Sequence, residues 1–451
     1  MKVCLATATN PDDVNWVAPL GFGYLKAAAP DHEYTFARTP DEVLAAKPDV
    51  LGISAVSQNW PEVEPLAKAA GGAVVVLGGY HITAFPFELP EYIDYGVIGE
   101  GEYTWAELLR AIEDCGSGTD IAGLVYHAVN GVQYTGPRGL AHVDDLPMPD
   151  RDFGRHPGQR RYIFTSRGCP FKCSFCAPAN HWQRARYHSA ERVVEEVRSV
   201  GDRKIQVWDD LFQANRKRLR RVAAAIGNRY HFNAGIRADI VDDELCQIMK
   251  GMGMTRLGMG AEHVVDRLLK QMKGPQASGD KNQAALDAMA RHKLDVGAGF
   301  IVGHPGETEA DIHTLYAWIL KNYGQKKLIQ HEINVLSPMP GTQVWGWAEE
   351  RGYPVRDWKR LRHVARYSNA KGARGYWDDR KRDGAIYLNE DNVPESTLEQ
   401  IVEHYEDRIA RGDFGSGAKF GAGIGVRVRR TKKLLGTIKR AAKQRLAARR
   451  P

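Results

Sequence analysis

Tyr162-Ile163-Phe164-Thr165-Ser166-Arg167-Gly168-Cys169-Pro170-Phe171-Lys172-Cys173-Ser174-Phe175-Cys176 is the stretch on which the reading of the chain turns. Its first five residues are a short apolar run rich in aromatic and β-branched side chains, which predicts a strand from Tyr162 to Ser166. Gly168 and Pro170 end that strand, and three cysteines follow at Cys-x3-Cys-x2-Cys spacing. A strand that runs into a loop of reactive groups suits an α/β fold, where function gathers at the carboxyl ends of parallel strands. Similar runs recur downstream at Lys204 to Trp208, Phe232 to Ile236, Arg256 to Gly260, Gly297 to Val302 and Ile329 to Leu336. Helical patterns begin between them near Ser189, Asn215, Asp242, Val264, Lys281, Glu307 and Thr342, several with a capping residue. Six such units predict an incomplete, TIM-like (β/α)6 barrel over residues 161–352.

Upstream, short apolar runs at Val3 to Thr7, Tyr34 to Ala37, Val50 to Ser54, Ala73 to Leu77 and Tyr95 to Ile98 alternate with helical stretches. The helical stretches are Gly21 to Ala29, Asp41 to Ala46, Pro61 to Ala70, Phe85 to Glu91 and Thr104 to Asp114. This predicts a doubly wound, flavodoxin- or Rossmann-like domain over residues 1–120, with its ligand at the strand ends. The candidate contacts are Ser54, Ser57, Gln58 and Asn59, then Gly78, Gly79, Tyr80 and His81, then Glu100, Gly101 and Glu102. Serine hydroxyls can donate hydrogen bonds, and glycines let backbone approach a bulky ligand. Residues 121–160 read as a connector, with a hairpin from Gly123 to Tyr134 and a Pro- and Asp-rich linker from Leu146 to Asp150. Residues 353–411 are mainly helical, and 412–451 hold a Gly-rich linker and a basic tail.

The hydrophobic fraction of 43% and charged fraction of 26% are those of a globular protein. No apolar run reaches the roughly 18 residues a membrane span needs, and Met1 to Asn10 lack a secretory signal, so a cytoplasmic location is expected. The net charge of +7 is unevenly spread: from Ala418 to Pro451 stand twelve Lys or Arg and no acid, leaving the body at −5. The tail admits three readings: a solvated segment, an amphipathic helix lying on anionic lipid, or a nucleic-acid contact.

Three of the six cysteines crowd into the loop, which suits a metal site in a reducing compartment better than disulfides. Cys4, Cys115 and Cys246 stand alone and are expected to be small buried hydrophobes. An electron-transfer [4Fe-4S] centre uses four thiolates, whereas three leave one iron open for chemistry. Zinc is disfavoured, because the trio lacks the paired Cys-x2-Cys usual in structural zinc sites. The barrel's strand ends would bring Asp209 and Asp210, Arg237 and Asp239, Glu262 and His263, and Gly303 to Glu307 around one cavity. Two plainer roles stand beside these: Asp209 or Asp210 capping the next helix, and Arg237 with Glu262 as an ion pair.

The cysteine loop, with the aromatic Phe175 before its last cysteine and Thr165-Ser166-Arg167-Gly168 before its first, resembles the signature of the radical S-adenosylmethionine (SAM) superfamily. The resemblance implies a [4Fe-4S] cluster on Cys169, Cys173 and Cys176 whose open iron chelates SAM. An electron, from a reductant such as flavodoxin or ferredoxin, then splits the sulfonium and yields a 5′-deoxyadenosyl radical. Phe232 to Arg237 and Gly258 to Glu262 are similar to strands whose Arg and Glu meet SAM, and Gly299 to Glu307 looks like the motif along the adenine, at Gly303. The Gly-Gly-Glu element common after the second strand is absent; Trp208-Asp209-Asp210 stands there, as in many cobalamin-linked members. Ala18 to Gly21, Asp49 to Ser54, Leu77 to His81 and Gly99 to Glu102 resemble the cobalamin-binding domain of class B members. The Asp-x-His-x-x-Gly element is missing, so cobalamin is expected to bind without an axial protein histidine, with Gln58 or Asn59 toward its lower face. The implied activity is methyl transfer to an unactivated carbon of a small-molecule or lipid-like substrate. Cyclisation or rearrangement of the magnesium-protoporphyrin cyclase kind, and a front domain that has lost cobalamin, are the rivals.

Overall fold

The computed structural model describes residues 1–9, 19–155, 159–182, 184–364 and 372–415. Ala18 and the basic tail lie outside them, so the readings of the tail are not addressed by the fold.

The front sheet contains β1 (Lys2–Thr7), β2 (Glu33–Ala37), β3 (Val50–Ser54), β4 (Val74–Gly78), β5 (Tyr95–Val97), β6 (Leu124–Ala128) and β7 (Gly131–Tyr134), in the order β2-β1-β3-β4-β5-β6-β7. The first five strands are parallel, and β6 and β7 add antiparallel pairs. The hairpin expected in the connector is therefore the edge of this sheet. Alternate residues of one strand feed opposite faces: Val3 and Leu5 pack with Phe22, Trp105 and Leu109, whereas Cys4 and Ala6 pack with Val43, Val63 and Leu66. Burial on both faces is what makes such strands continuously apolar.

The second sheet follows chain order: β8 (Arg161–Ile163), β11 (Lys204–Val207), β12 (His231–Arg237), β13 (Met254–Glu262), β14 (Asp295–Val302) and β15 (Gln330–Val335), all parallel. Between β8 and β11 the two-residue strands β9 (Ser166–Arg167) and β10 (Arg186–Tyr187) pair antiparallel beside the cysteine loop. Ser189, Asn215, Asp242, Ser278, Thr308 and Thr342 each accept a backbone N–H at a helix start, which fixes where the helices leave the strands. Ile205, Val207, Phe232, Ala234, Leu257, Met259, Val296, Ala298, Ile333 and Val335 are buried against these helices. The intervening residues face the other way, into the barrel's concave side, and Trp208, Gly235, Gly258 and Glu332 are exposed there.

Some expectations shift. The helix sought at Phe85 to Glu91 occupies Tyr80–Ala84 instead, opened by Gly79 at φ 101° and followed by Pro86 and Pro90. The stretch from Pro61 splits into a 3-10 turn, Ser57–Glu62, and a helix, Val63–Lys68. Cys4 and Cys246 are buried, but Cys115 is exposed, at φ 54°. Residues 353–411 do not stand apart: Trp377, Tyr387, Leu398, Ile401 and Tyr405 share the barrel's core, and the Tyr405 ring stacks on Tyr316 at 4.4 Å.

Leu20–Ala28 docks the front domain on β8, where the Leu20 N–H donates to the Tyr162 hydroxyl at 2.6 Å. Asp150 of the connector lies so close that a β-carbon on Gly23 would meet its carbonyl oxygen at 2.3 Å. Gly23→Ala is therefore expected to force the helix and connector apart at a cost of about 1–3 kcal/mol, read as a lower urea midpoint. An unchanged midpoint would show that the connector yields freely.

Candidate cofactor and radical site

The cysteine loop is held at both sides. The Ser174 N–H donates to the Met272 carbonyl at 2.8 Å, and the Ser174 carbonyl accepts from Val344 N–H at 3.1 Å. Cys169, Cys173 and Cys176 are all half-buried and free of disulfides. Among the described residues their sulfurs do not converge as ligands of a single ion. An iron–sulfur cluster takes one thiolate per iron, so three free, half-buried thiols on one loop are a fitting donor set for it.

Arg237, at the end of β12, reaches this loop. Its Nη1 donates to Cys173 Sγ at 3.1 Å, its guanidinium lies 3.8 Å from the centre of the Phe171 ring, and Asp239 holds it by two bonds of 2.6 and 2.8 Å. The charge thus sits where a thiolate needs it: burial pushes the Cys173 thiol up, and Arg237 opposes the shift. Arg237 and Glu262 are not each other's partner. Glu262 faces Lys273 Nζ at 3.6 Å, and Lys273 also donates to the Gly260 carbonyl at 2.5 Å. Glu262 ends β13 at φ 60°, where the register with β14 slips, and this turns its carboxylate out of the ladder. Burial raises its pKa, with Lys273 opposing. Lys273 carried no motif in the sequence; only its place beyond β13 hinted at it.

The other strand ends divide. Asp209 caps no helix, since Asn215 does that; its carboxylate accepts from Thr165 N–H and Oγ1, both at 2.5 Å, and from Ser166 Oγ at 2.7 Å. Asp209 is thus a brace between β11 and the cysteine loop. Asp210 opens to the cavity; burial and the neighbouring Asp209 charge push its carboxyl up to about 6, against hydrogen bonds from Gly168 and Trp182 that favour the ionised form. The expected cavity residue Glu307 is buried: one oxygen accepts from Gly303 N–H at 2.5 Å, and the other faces His263 Nε2 at 3.0 Å. His263 Nδ1 accepts from Val265 N–H, so Nε2 carries the proton given to Glu307. Asn389 clasps the same turn, donating to the Glu307 carbonyl at 2.9 Å and accepting from Gly306 N–H at 3.1 Å.

Across the mouth stand the strand ends of the front domain. The Tyr80 ring lies on His181 at 4.0 Å, five residues beyond Cys176, and Gln58 Nε2 donates to Met339 Sδ at 3.2 Å. Burial pushes His181 down to about 4, so it is neutral there. Gln58 Oε1 is buried without a hydrogen-bond partner. An orphaned acceptor beside Ser54, Asn59 and the side-chain-free Gly78 and Gly79 fits a bulky polar group laid across these ends. Gln58, Asn59, Ser54 and Tyr80 are the residues that could hold cobalamin. Ser57 and His81 are instead engaged with each other, Nδ1 to Oγ at 2.9 Å, and the His81 ring is stacked on Trp60 at 3.7 Å. Burial lowers His81 to about 3, which suits a neutral core side chain.

Glu100 and Glu102 are likewise committed. Arg167 Nη1 meets Glu100 at 3.1 Å, its Nη2 donates to Glu102 at 2.5 Å, and Arg186 also holds Glu100 at 3.0 Å. Gly101 stands between them as the residue before helix Glu102–Glu113, where an added β-carbon would press on Leu25 at 3.3 Å. Burial alone would raise Glu100, but Arg186 and Arg167 win and hold it below the usual carboxylate range. Its contribution to stability is thus fully present above about pH 4.3 and is lost as pH falls through its folded value. The stability gap between the wild type and Glu100→Gln, measured by urea titration, is expected to close on acidification; a gap independent of pH would contradict the pairing.

A sequence model of the radical SAM superfamily matches residues 163–319, and one of the B12 binding domain matches residues 16–109. The chain is a radical SAM enzyme with a B12-binding domain. Its cofactors are the [4Fe-4S] cluster, SAM and cobalamin. This radical SAM enzyme is 29% identical to an uncharacterized methyltransferase of Pyrococcus horikoshii, over 73% of this chain and 78% of that one. It is 26% identical to the anaerobic magnesium-protoporphyrin IX monomethyl ester cyclase of Rubrivivax gelatinosus, over 67% of this chain and 60% of that one. Its fold matches the radical SAM methyltransferase TsrM of Kitasatospora setae with TM-score 0.64 at 18% identity, over 77% of this chain and 74% of that one. Among the described residues no helix is long and apolar enough to cross a membrane.

Proposed function

We propose that this radical SAM enzyme transfers a methyl group to an unactivated carbon. The observation that carries the reading is the meeting of the two domains at one mouth, with Tyr80 of the front domain on His181 just beyond the cysteine loop. When loaded, cluster and SAM supply a 5′-deoxyadenosyl radical and cobalamin supplies the methyl group. The chain's own part is positional. Cys169, Cys173 and Cys176 hold the cluster, Arg237 compensates thiolate charge, and Glu262 with Gly303 borders SAM, Phe175 standing beside the last thiolate. The packed mouth keeps water from a reactive intermediate. The likeness to the archaeal methyltransferase supports the chemistry, and the free thiols suit a reducing, cytoplasmic setting with flavodoxin or ferredoxin as reductant.

Cyclisation is the second reading, favoured by the likeness to the Rubrivivax protein. Product analysis separates the two. Anaerobically reconstituted enzyme given reductant, SAM and a turned-over substrate is expected to form S-adenosylhomocysteine beside 5′-deoxyadenosine. 5′-Deoxyadenosine without S-adenosylhomocysteine would end the methyltransfer reading.

A further inference from the structure

The concave side of the barrel has an unusual wall. Gly235, Gly258 and Gly297 stand in register on β12, β13 and β14, so three neighbouring strands present bare backbone in one row. A β-carbon added at Gly235 would meet nothing within 4 Å, one at Gly258 only the Ala234 carbonyl at 3.9 Å, and one at Gly297 the Gln330 β-carbon at 3.6 Å and its carbonyl at 3.8 Å, an ordinary contact at the β15 edge. The row therefore borders open space.

The two sides of that space differ. On β11's end Trp208 is 42% exposed, a large apolar ring left uncovered on an inward face, with Tyr162 5.2 Å behind it and pinned by Leu20. On the far side, β15 turns His331, Ile333 and Val335 outward: the last two join the helical core, and His331 bonds to Tyr323 and Glu406. Gln330, Glu332 and Asn334 alternate with them and face inward. Glu332 is exposed, and among the described residues its carboxylate meets only the Gln330 amide, at 3.4 Å. Arg256, a base on this face, is bonded to Gln330, and Arg237, in the same register row as Glu332, is held by Asp239. From β11 to β15 is four strand spacings, about 19 Å along the sheet, and curvature brings the sides closer.

We propose that this chamber selects a substrate with a flat or hydrocarbon body and a protonated amine, the body resting on Trp208 and the amine meeting Glu332. A bare aromatic face gains from covering by an apolar surface, and a carboxylate in a partly enclosed space gains from a cation. The glycine row adds no side chain of its own, so the two edges do the selecting. This inference rests on the barrel being the reaction chamber of the proposed function.

The test uses reconstituted holoenzyme and two probes that share one naphthyl body and two-carbon spacer but differ in charge, 2-(2-naphthyl)ethylamine and 3-(2-naphthyl)propionate, followed by isothermal titration. The amine is expected to bind at least about tenfold more tightly than the acid. Glu332→Gln, which keeps side-chain shape, is expected to erase that preference, and Trp208→Ala to weaken both probes while the melting temperature holds. Equal binding of the two probes, no binding of either, or a preference unchanged in Glu332→Gln overturns the proposal. Wild-type SAM cleavage is followed in the same preparations: its absence counts against the radical reading itself, whereas cleavage without an amine preference overturns the substrate class alone.

Discussion

Replacing Cys169, Cys173 and Cys176 together by alanine is expected to empty the protein of iron and sulfide and to abolish SAM cleavage to the limit of detection. The reason lies in the number of thiolates. Each sulfur ligates one iron, and no second set of clustered cysteines exists to substitute, since Cys4, Cys115 and Cys246 are scattered through the chain. Single replacements are expected to be nearly as severe, with Cys173→Ala also leaving the Arg237 guanidinium facing no thiolate at the loop. The fold should survive, because the three side chains are half-buried on a loop whose backbone bonds run through Ser174. Circular dichroism and the urea midpoint check that, while iron, sulfide and 5′-deoxyadenosine report the chemistry. Native iron content and radical output in the triple variant would sink the assignment.

Arg167→Ala is expected to have the largest effect on stability, a loss of about 3–5 kcal/mol in urea titrations. Arg167 and its two partners are close to fully buried, with side chains 8 to 10% exposed. Among the described residues, removing the guanidinium strands Glu102 with no charged partner and leaves Glu100 to Arg186 alone. The guanidinium also lies 5.2 Å from the Tyr24 ring, so lysine cannot copy both roles, and Arg167→Lys should rescue only in part. Combining Arg167→Met with Glu102→Leu should recover most of the loss, because the cost lies in the stranded charge. A loss under about 1 kcal/mol for Arg167→Ala would mean that water reaches the site and the clasp is weak.

How much of this was legible depended on the range of the interaction. Strands such as Val50–Ser54 and Lys204–Val207 fell within a residue of their expected bounds, because burial on both faces writes itself into every position of a short run. Asn215, Asp242 and Thr342 fixed helix starts for an equally local reason. The cysteine loop was readable because its chemistry is confined to eight consecutive residues. The clasp was not: Arg167 and Glu102 are 65 residues apart, and the sequence offers Glu102 as a ligand contact and Arg167 only as part of the stretch before the first cysteine. The pairing of Ser57 with His81 was equally hidden, since strand-end position says where a side chain starts and not what it turns toward. The segment around Asn389 gave no signal at all, because what it clasps, the turn from Gly303 to Glu307, is set by tertiary packing.

The backbone-only strip across β12, β13 and β14 also bears on how such an enzyme could be retargeted. A wall of peptide is chemically indifferent to whatever leans on it, so identity is delegated to a handful of positions at the margins. Exchanging those few residues alters what is admitted without touching the ironwork above, and a descendant could acquire a new client while its radical machinery stays as it was.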